Sequence, residues 1–365
     1  MASLEADLKG LYSNVPVTLR PTKRFVVFDF QLLQHHQAAT VKKKKAKSIR
    51  QQQRPEPPPG AEAARLRMEQ ALGGLAVTCD ELTTGTHVLQ LRKGHRFSND
   101  DLFTAWRACH AAPLAASLLD IGSGIGSVGL ATLAKMRRGK AATLVGIEAQ
   151  EISFKLASAS VAMQPHLRDN GRVRFLHGDL RDSDAVLANL AGAGMEPHFP
   201  QHYDLVTGSP PYLPADCAIQ SPVPQRAPCR VELRGSVYDY CAAAARHLRP
   251  GPCSGSRFVF VMLTQDPRTF DAPVKAGLRV LEQYDYTFMS GRKPHISTLV
   301  CCLAQDGTAP APETPVRRGH MLLRDRATGE FTPEHRAFKE FMLSTDLPPA
   351  IPGGGGDGGG GARRI

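Results

Sequence analysis

Apolar positions in the middle of the chain fall into short runs separated by amphipathic stretches. The β-like runs are Ser117 to Ile121, Thr143 to Ile147, Val173 to His177, Asp204 to Thr207, Phe258 to Leu263, Val280 to Tyr286 and Ser297 to Leu303. Helical spacing is clearest over Ser127 to Met136, Glu151 to Met163 and Val237 to His247. Strand followed by helix, repeated, predicts an α/β fold with a seven-stranded, mostly parallel, doubly wound sheet. Ligands of such a sheet sit beyond the carboxyl ends of its strands. No convincing helix separates the last two runs, which predicts an antiparallel strand at the edge. No internal repeat is visible.

The pattern fails at both ends. Residues 1–65 hold one short β-like run, Arg24 to Phe30, then lysines at 42–45 and 47, a Gln-rich patch and Pro57 to Pro59. This reads as a basic, disordered extension. Residues 346–365 are glycine-rich and cannot bury enough surface to offset their ordering entropy. The folded unit is expected to span 66–345.

Charge sharpens that division. The net charge is +11, from 45 Lys and Arg against 34 Asp and Glu. Residues 1–65 alone carry 12 basic and 5 acidic side chains, so most of the excess lies in the extension. The lysine run could meet phosphates, serve as a nuclear address, or simply keep a linker extended. With 42% apolar residues the middle can bury a core, and no apolar run reaches the roughly 18 residues of a membrane span. The N-terminus has acidic residues and no apolar h-region, so the expected setting is intracellular: cytoplasmic, nuclear or an organelle. Cys217, Cys229, Cys241 and Cys253 are spaced by twelve, yet no C-x-x-C pair occurs and no metal site is expected.

The candidate chemistry begins where the first run of the repeat ends, at Asp120-Ile121-Gly122-Ser123-Gly124-Ile125-Gly126. Glycines let a strand-to-helix turn bend sharply and approach a ligand. Gly124, Gly126 and Gly129 also satisfy the dinucleotide fingerprint. Asp120 argues against a pyrophosphate, which it would repel, and for the cationic amino group of a methionine moiety. Glu148, 22 residues beyond Gly126, can accept both hydroxyls of a ribose. The loop therefore suits S-adenosylmethionine better than NAD. Asp179, after the third run, is assigned to the adenine amine, although an Asp in that position is often a helix cap.

The fourth run ends in Ser209-Pro210-Pro211-Tyr212-Leu213-Pro214. An exocyclic amine on a purine is a poor nucleophile because its lone pair is delocalised into the ring. If the Ser209 hydroxyl and the Pro210 carbonyl both accept hydrogen bonds from the amine, nitrogen is drawn toward tetrahedral geometry. Pro210 and Pro211 fix the turn. Tyr212 offers a face for stacking an extruded base, worth roughly 1–3 kcal/mol.

This tetrapeptide resembles the (Asn/Asp/Ser)-Pro-Pro-(Tyr/Phe/Trp) motif of N6-adenine and glutamine methyltransferases. Gly94 to Trp106, Arg230 to Leu233 with Val237 to Tyr240, and Met321 to Phe338 are similar to segments of the bacterial tRNA1(Val) adenine-N6 methyltransferase family. The likeness spans residues 80–340. It implies a class I, Rossmann-like methyltransferase fold, S-adenosylmethionine as cofactor, and methyl transfer to an adenine N6 in RNA, near a tRNA anticodon. In the segment 94–106 it leaves Asn99 and Asp100 open as the polar residue near the pocket. Arg230, Arg292 and Lys293 are assigned to RNA contact, and a monomer is expected. Two other readings stand beside this one: a release-factor glutamine methyltransferase, which poses the same lone-pair problem, and a non-catalytic RNA-binding protein of the same fold.

Overall fold

The structure is a computed structural model that describes residues 57–137, 141–192, 200–214, 225–251, 255–305 and 314–348. The run at 24–30, the lysines at 42–47, the glycine-rich stretch 349–365, Cys217 and Cys253 lie outside the described residues. The first helix, α1 (Ala61–Ala71), precedes a hairpin of β1 (Val77–Thr83) and β2 (Thr86–Leu91), and then α2 (Asn99–Ala111). The alternating part runs β3 (Ser117–Ile121), α3 (Ser127–Lys135), β4 (Thr143–Glu148), α4 (Glu151–Ala162), a short α5 (Pro165–Arg168) and β5 (Val173–His177). It continues through α6 (Ser183–Gly192), β6 (Leu205–Gly208), α7 (Val237–His247), β7 (Arg257–Leu263) and α8 (Arg268–Lys275). The chain closes with β8 (Leu278–Thr287), β9 (Ile296–Leu303), β10 (Arg317–Leu322) and α9 (Pro333–Leu343).

All seven expected strands form, and an eighth joins them. The order is β10-β8-β9-β7-β6-β3-β4-β5. Every neighbouring pair is parallel except the two made by β9, which is antiparallel to both β7 and β8. Without β10 this is the sheet of the class I, Rossmann-like methyltransferase fold.

Two expectations are corrected here. The antiparallel strand is not at the edge: β9 is buried along nearly its whole length between β7 and β8, as its unbroken apolar run Leu299 to Cys302 requires. The edge belongs to β10, Arg-Arg-Gly-His-Met-Leu, mostly exposed over its first four residues. Its polar sequence hides it from a search for apolar periodicity, and the same charges suit an edge strand.

Side chains alternate between the two faces of the sheet. Leu118, Val259 and Val261 pack toward α1, α2, α3, α4 and α9, whereas Leu119, Ile121, Phe258, Phe260 and Met262 pack toward α6, α7 and α8. Asp120 thus shares the face of Leu118, beneath α3. The β1–β2 hairpin docks on α4 through side chains: Ser160 and Gln164 accept from the backbone N–H groups of Leu89 and His87 at 2.8 Å each. From that hairpin the chain passes directly to Gly94–Ser98 and α2, over the carboxyl ends of the central strands.

Candidate active site

A cleft of about 890 Å³, partly open to solvent, lies at the carboxyl ends of β3, β4 and β6. Asp120, Gly122, Gly124, Glu148, Ser209 and Pro211 all line it.

The glycine loop has the backbone the sequence asks for. Gly122, Gly124 and Gly126 have φ of 63°, 57° and 83°, the left-handed region that L side chains rarely adopt. A Cβ on Gly122 would stand 2.0 Å from the Tyr240 hydroxyl, whereas one on Gly124 would meet nothing within 4 Å. Gly122 is therefore packed from behind, while Gly124 faces open space where a ligand can approach.

Two buried carboxylates, Asp120 and Glu148, and the half-buried Asp101 surround that space. Asp120, 1% exposed, accepts from the Thr207 hydroxyl at 2.8 Å and from the Gly129 N–H at 2.9 Å. Burial pushes its pKa up to about 7. Glu148 accepts from the backbone N–H groups of Gly124 and Gln150 at 2.7 Å each, and burial raises its pKa too. Asp101 closes the capping box of α2 with Ser98 and accepts from the Ser127 hydroxyl at 2.8 Å. Its pKa is also raised by burial. None of the three has an ion-pair partner among the described residues. Buried negative charge without a counter-ion is costly, so the cleft is built for a cationic ligand.

The sequence assigned Asp120 and Glu148 directly to ligand groups. In the structure each oxygen already holds a protein donor, which orients the carboxylates and leaves each with a second lone pair. Asp179 is held differently. Its carboxylate takes the backbone N–H, Nε and Nη2 of Arg181 at 2.9, 2.9 and 2.6 Å, capping the turn Leu180–Asp182. That contact holds its pKa below the usual range, and the cleft is lined by its neighbours Gly178 and Leu180 instead.

The Ser209–Tyr212 segment follows β6. Pro210 and Pro211 are buried, and Ser209 and Tyr212 partly so. The Ser209 Oγ is shielded from solvent and has no hydrogen-bond partner, although it lines the cleft. Tyr212 packs against both faces of the core, and its hydroxyl donates to Asp100 at 3.0 Å. Asp100 rather than Asn99 thus meets the motif, with Asp101 serving the glycine loop. Burial and the neighbouring Asp101 raise the pKa of Asp100.

Long-range contacts hold this segment from the other side. Leu213 pairs with Val231, its N–H donating to the Arg230 carbonyl at 3.0 Å. Arg268 donates to Glu232 at 2.6 Å, to Asp266 at 2.7 Å and to the Tyr212 carbonyl at 3.4 Å. The side chain of Arg230 is exposed beside it. Arg292 and Lys293 are exposed in the β8–β9 loop at the same end of the sheet.

Sequence reasoning missed Asp101, Arg268 and Tyr240. Asp101 carried a signal, since Ser98-x-x-Asp101 is a capping box, but caps are common on any helix. Arg268 and Tyr240 act through contacts across 56 and 118 positions, which no local pattern encodes.

No protein-family model and no curated protein matches the sequence. Solved methyltransferase structures are similar to parts of it. A predicted O-methyltransferase of Agrobacterium tumefaciens is 14% identical with a TM-score of 0.43, covering 69% of this chain and all of that one. The methyltransferase subunit of a type I restriction-modification system from Streptococcus thermophilus is 14% identical with a TM-score of 0.43, over 68% of this chain and 53% of that one. The glycopeptide N-methyltransferase MtfA, in complex with S-adenosylmethionine, is 12% identical with a TM-score of 0.36, over 59% of this chain and all of that one. Their acceptors are their own; what this chain does must follow from its own side chains.

Proposed function

We propose that the protein binds S-adenosylmethionine and transfers its methyl group to the exocyclic N6 of an adenine in RNA, with tRNA as the first RNA to test. The residues fit the cofactor: the cleft offers an open glycine turn at Gly124 and unpaired buried carboxylates that suit a ligand carrying an ammonium and a sulfonium. Bound there, S-adenosylmethionine supplies an electrophilic methyl on a cationic leaving group, so no general base has to act before transfer.

The observation that carries the acceptor assignment is the unpartnered Ser209 hydroxyl, shielded from water in a residue that lines the same cleft. A buried hydroxyl without a partner costs about 1–3 kcal/mol, a cost relieved when an acceptor N–H donates to it. The Pro210 carbonyl is assigned as the second acceptor. Together they draw the amine out of conjugation, and its lone pair forms the new N–C bond as the C–S bond breaks. The proton then leaves to water. Tyr212, its hydroxyl held by Asp100, presents its ring to the base.

Incubation with tritiated S-adenosylmethionine, offering total tRNA and a release-factor glutamine peptide side by side, tests this reading. Label in tRNA is expected. Label confined to the peptide would replace adenine by a glutamine amide at the same site, and no donor binding at millimolar concentration would leave only a non-catalytic role.

A further inference from the structure

The β8–β9 loop and the segment after β10 meet at the carboxyl end of the sheet, because β8 and β10 run parallel to the central strands. Their backbones are stitched together: the Ser290 N–H donates to the Arg324 carbonyl at 2.9 Å, and the Arg326 N–H to the Ser290 Oγ at 2.8 Å. Phe288 is 40% and Met289 37% exposed, with Arg292, Lys293 and Arg326 exposed around them. None of these three cations is in an ion pair among the described residues. The β8–β9 loop contains no acidic residue, and the nearby Asp325 is engaged by its own turn, accepting from the N–H groups of Ala327 and Thr328 at 2.8 and 2.9 Å. The ring of His295 lies tilted against that of Phe288, with 5.2 Å between centroids.

We infer that this ridge, Phe288, Met289, Arg292, Lys293 and Arg326, is the docking surface for the RNA strand that carries the target adenine. The inference rests on the proposed RNA reading and goes beyond it by assigning the eighth strand and its loop a role. Unpaired cations beside an exposed aromatic ring suit a chain of phosphates with unstacked bases, since the cations take the backbone and the ring takes a base. An acidic protein would use the cations but has no base for Phe288. The ridge lies at the same, carboxyl end of the sheet as the Ser209–Tyr212 segment, so a strand lying on it can deliver a flipped base to that segment.

The test uses the full chain and a triple variant, Arg292→Ala with Lys293→Ala and Arg326→Ala, alongside Phe288→Ala. Donor binding by calorimetry should match the parent in both, reporting an intact fold and cleft. In filter binding to tRNA over a salt series, the triple variant should lose about 2 units of slope in log K against log salt, at about 0.7 per phosphate for single strands, and about tenfold or more in affinity. Phe288→Ala should lose about tenfold in affinity with its slope unchanged. Arg292→Lys should retain the parent slope. Parental methylation of tRNA with undiminished affinity and slope in both variants overturns the ridge while leaving the adenine reading intact. If the parent methylates only protein, the adenine reading itself falls and takes the ridge with it.

Discussion

The two halves of the cleft are built on different principles. On the donor side, the glycine loop and its carboxylates come from adjacent strand ends, and the carboxylate oxygens of Asp120 and Glu148 are already engaged. On the proposed acceptor side, the Ser209–Tyr212 segment is short, begins with an unpartnered hydroxyl, and is held by residues far away in sequence: Asp100 and Arg268. The donor half is rigid before any ligand arrives, whereas the acceptor half is positioned by a few distant clamps. Damage to the first should abolish binding, and damage to the second should slow chemistry while leaving the donor bound.

The largest effect is expected from the donor side. In Gly122→Val, added carbons would overlap the Tyr240 hydroxyl in a backbone with φ of 63°, so S-adenosylmethionine affinity should fall by two orders of magnitude or more, with about 1–3 kcal/mol of lost stability. Calorimetry and a urea melt read the two separately, and parental affinity would break the assignment of the loop. Next comes Arg268→Ala, which frees the Tyr212 carbonyl and leaves Glu232 and Asp266 unpaired. A clamp that sets geometry at the about 1 Å level is worth roughly 100-fold in kcat, with donor Kd unchanged. An equal loss in both would erase the contrast between the halves.

A smaller loss should follow Tyr212→Phe. It keeps the ring but removes the 3.0 Å hydrogen bond to Asp100, and about 1.5–3 kcal/mol for a bond to a charged group corresponds to roughly 10- to 100-fold in kcat at most. Single-turnover rates at saturating donor measure it directly. The smallest effect concerns pH. Folded Asp120 holds its proton up to about 7 while the unfolded chain releases it near 3.8, so between those values the folded state carries more protons. Stability should therefore decline as pH rises through that window. Asp120→Asn should flatten part of the decline in thermal melts between pH 4 and 8, and bound S-adenosylmethionine, by supplying positive charge, should flatten it in the parent. A parental slope that neither change alters would place the charge of Asp120 outside the donor site.

The contrast also explains what was legible in the sequence. Glycine turns and strand-end carboxylates are local features, so Gly122, Gly124, Asp120 and Glu148 stood out in the sequence, and short apolar runs between amphipathic stretches exposed seven of the eight strands of the main sheet. At Asp179 the sequence could not show the contact with Arg181, because a cap and a ligand-binding Asp look alike in sequence. The β10 edge escaped because its stability comes from pairing with β8 rather than from an apolar run. The acceptor clamps escaped because Tyr212, Asp100 and Arg268 meet only after the sheet has formed.

The measurement that bears most directly on the central claim is mass spectrometry of nucleosides from tRNA treated with the protein and deuterated S-adenosylmethionine. The account predicts a deuterated methyl on N6 of adenosine, lost on Gly122→Val and sharply reduced on Arg268→Ala. Deuterium on a ribose oxygen or a ring carbon, with N6 unlabelled, would contradict the role given to Ser209 and Pro210.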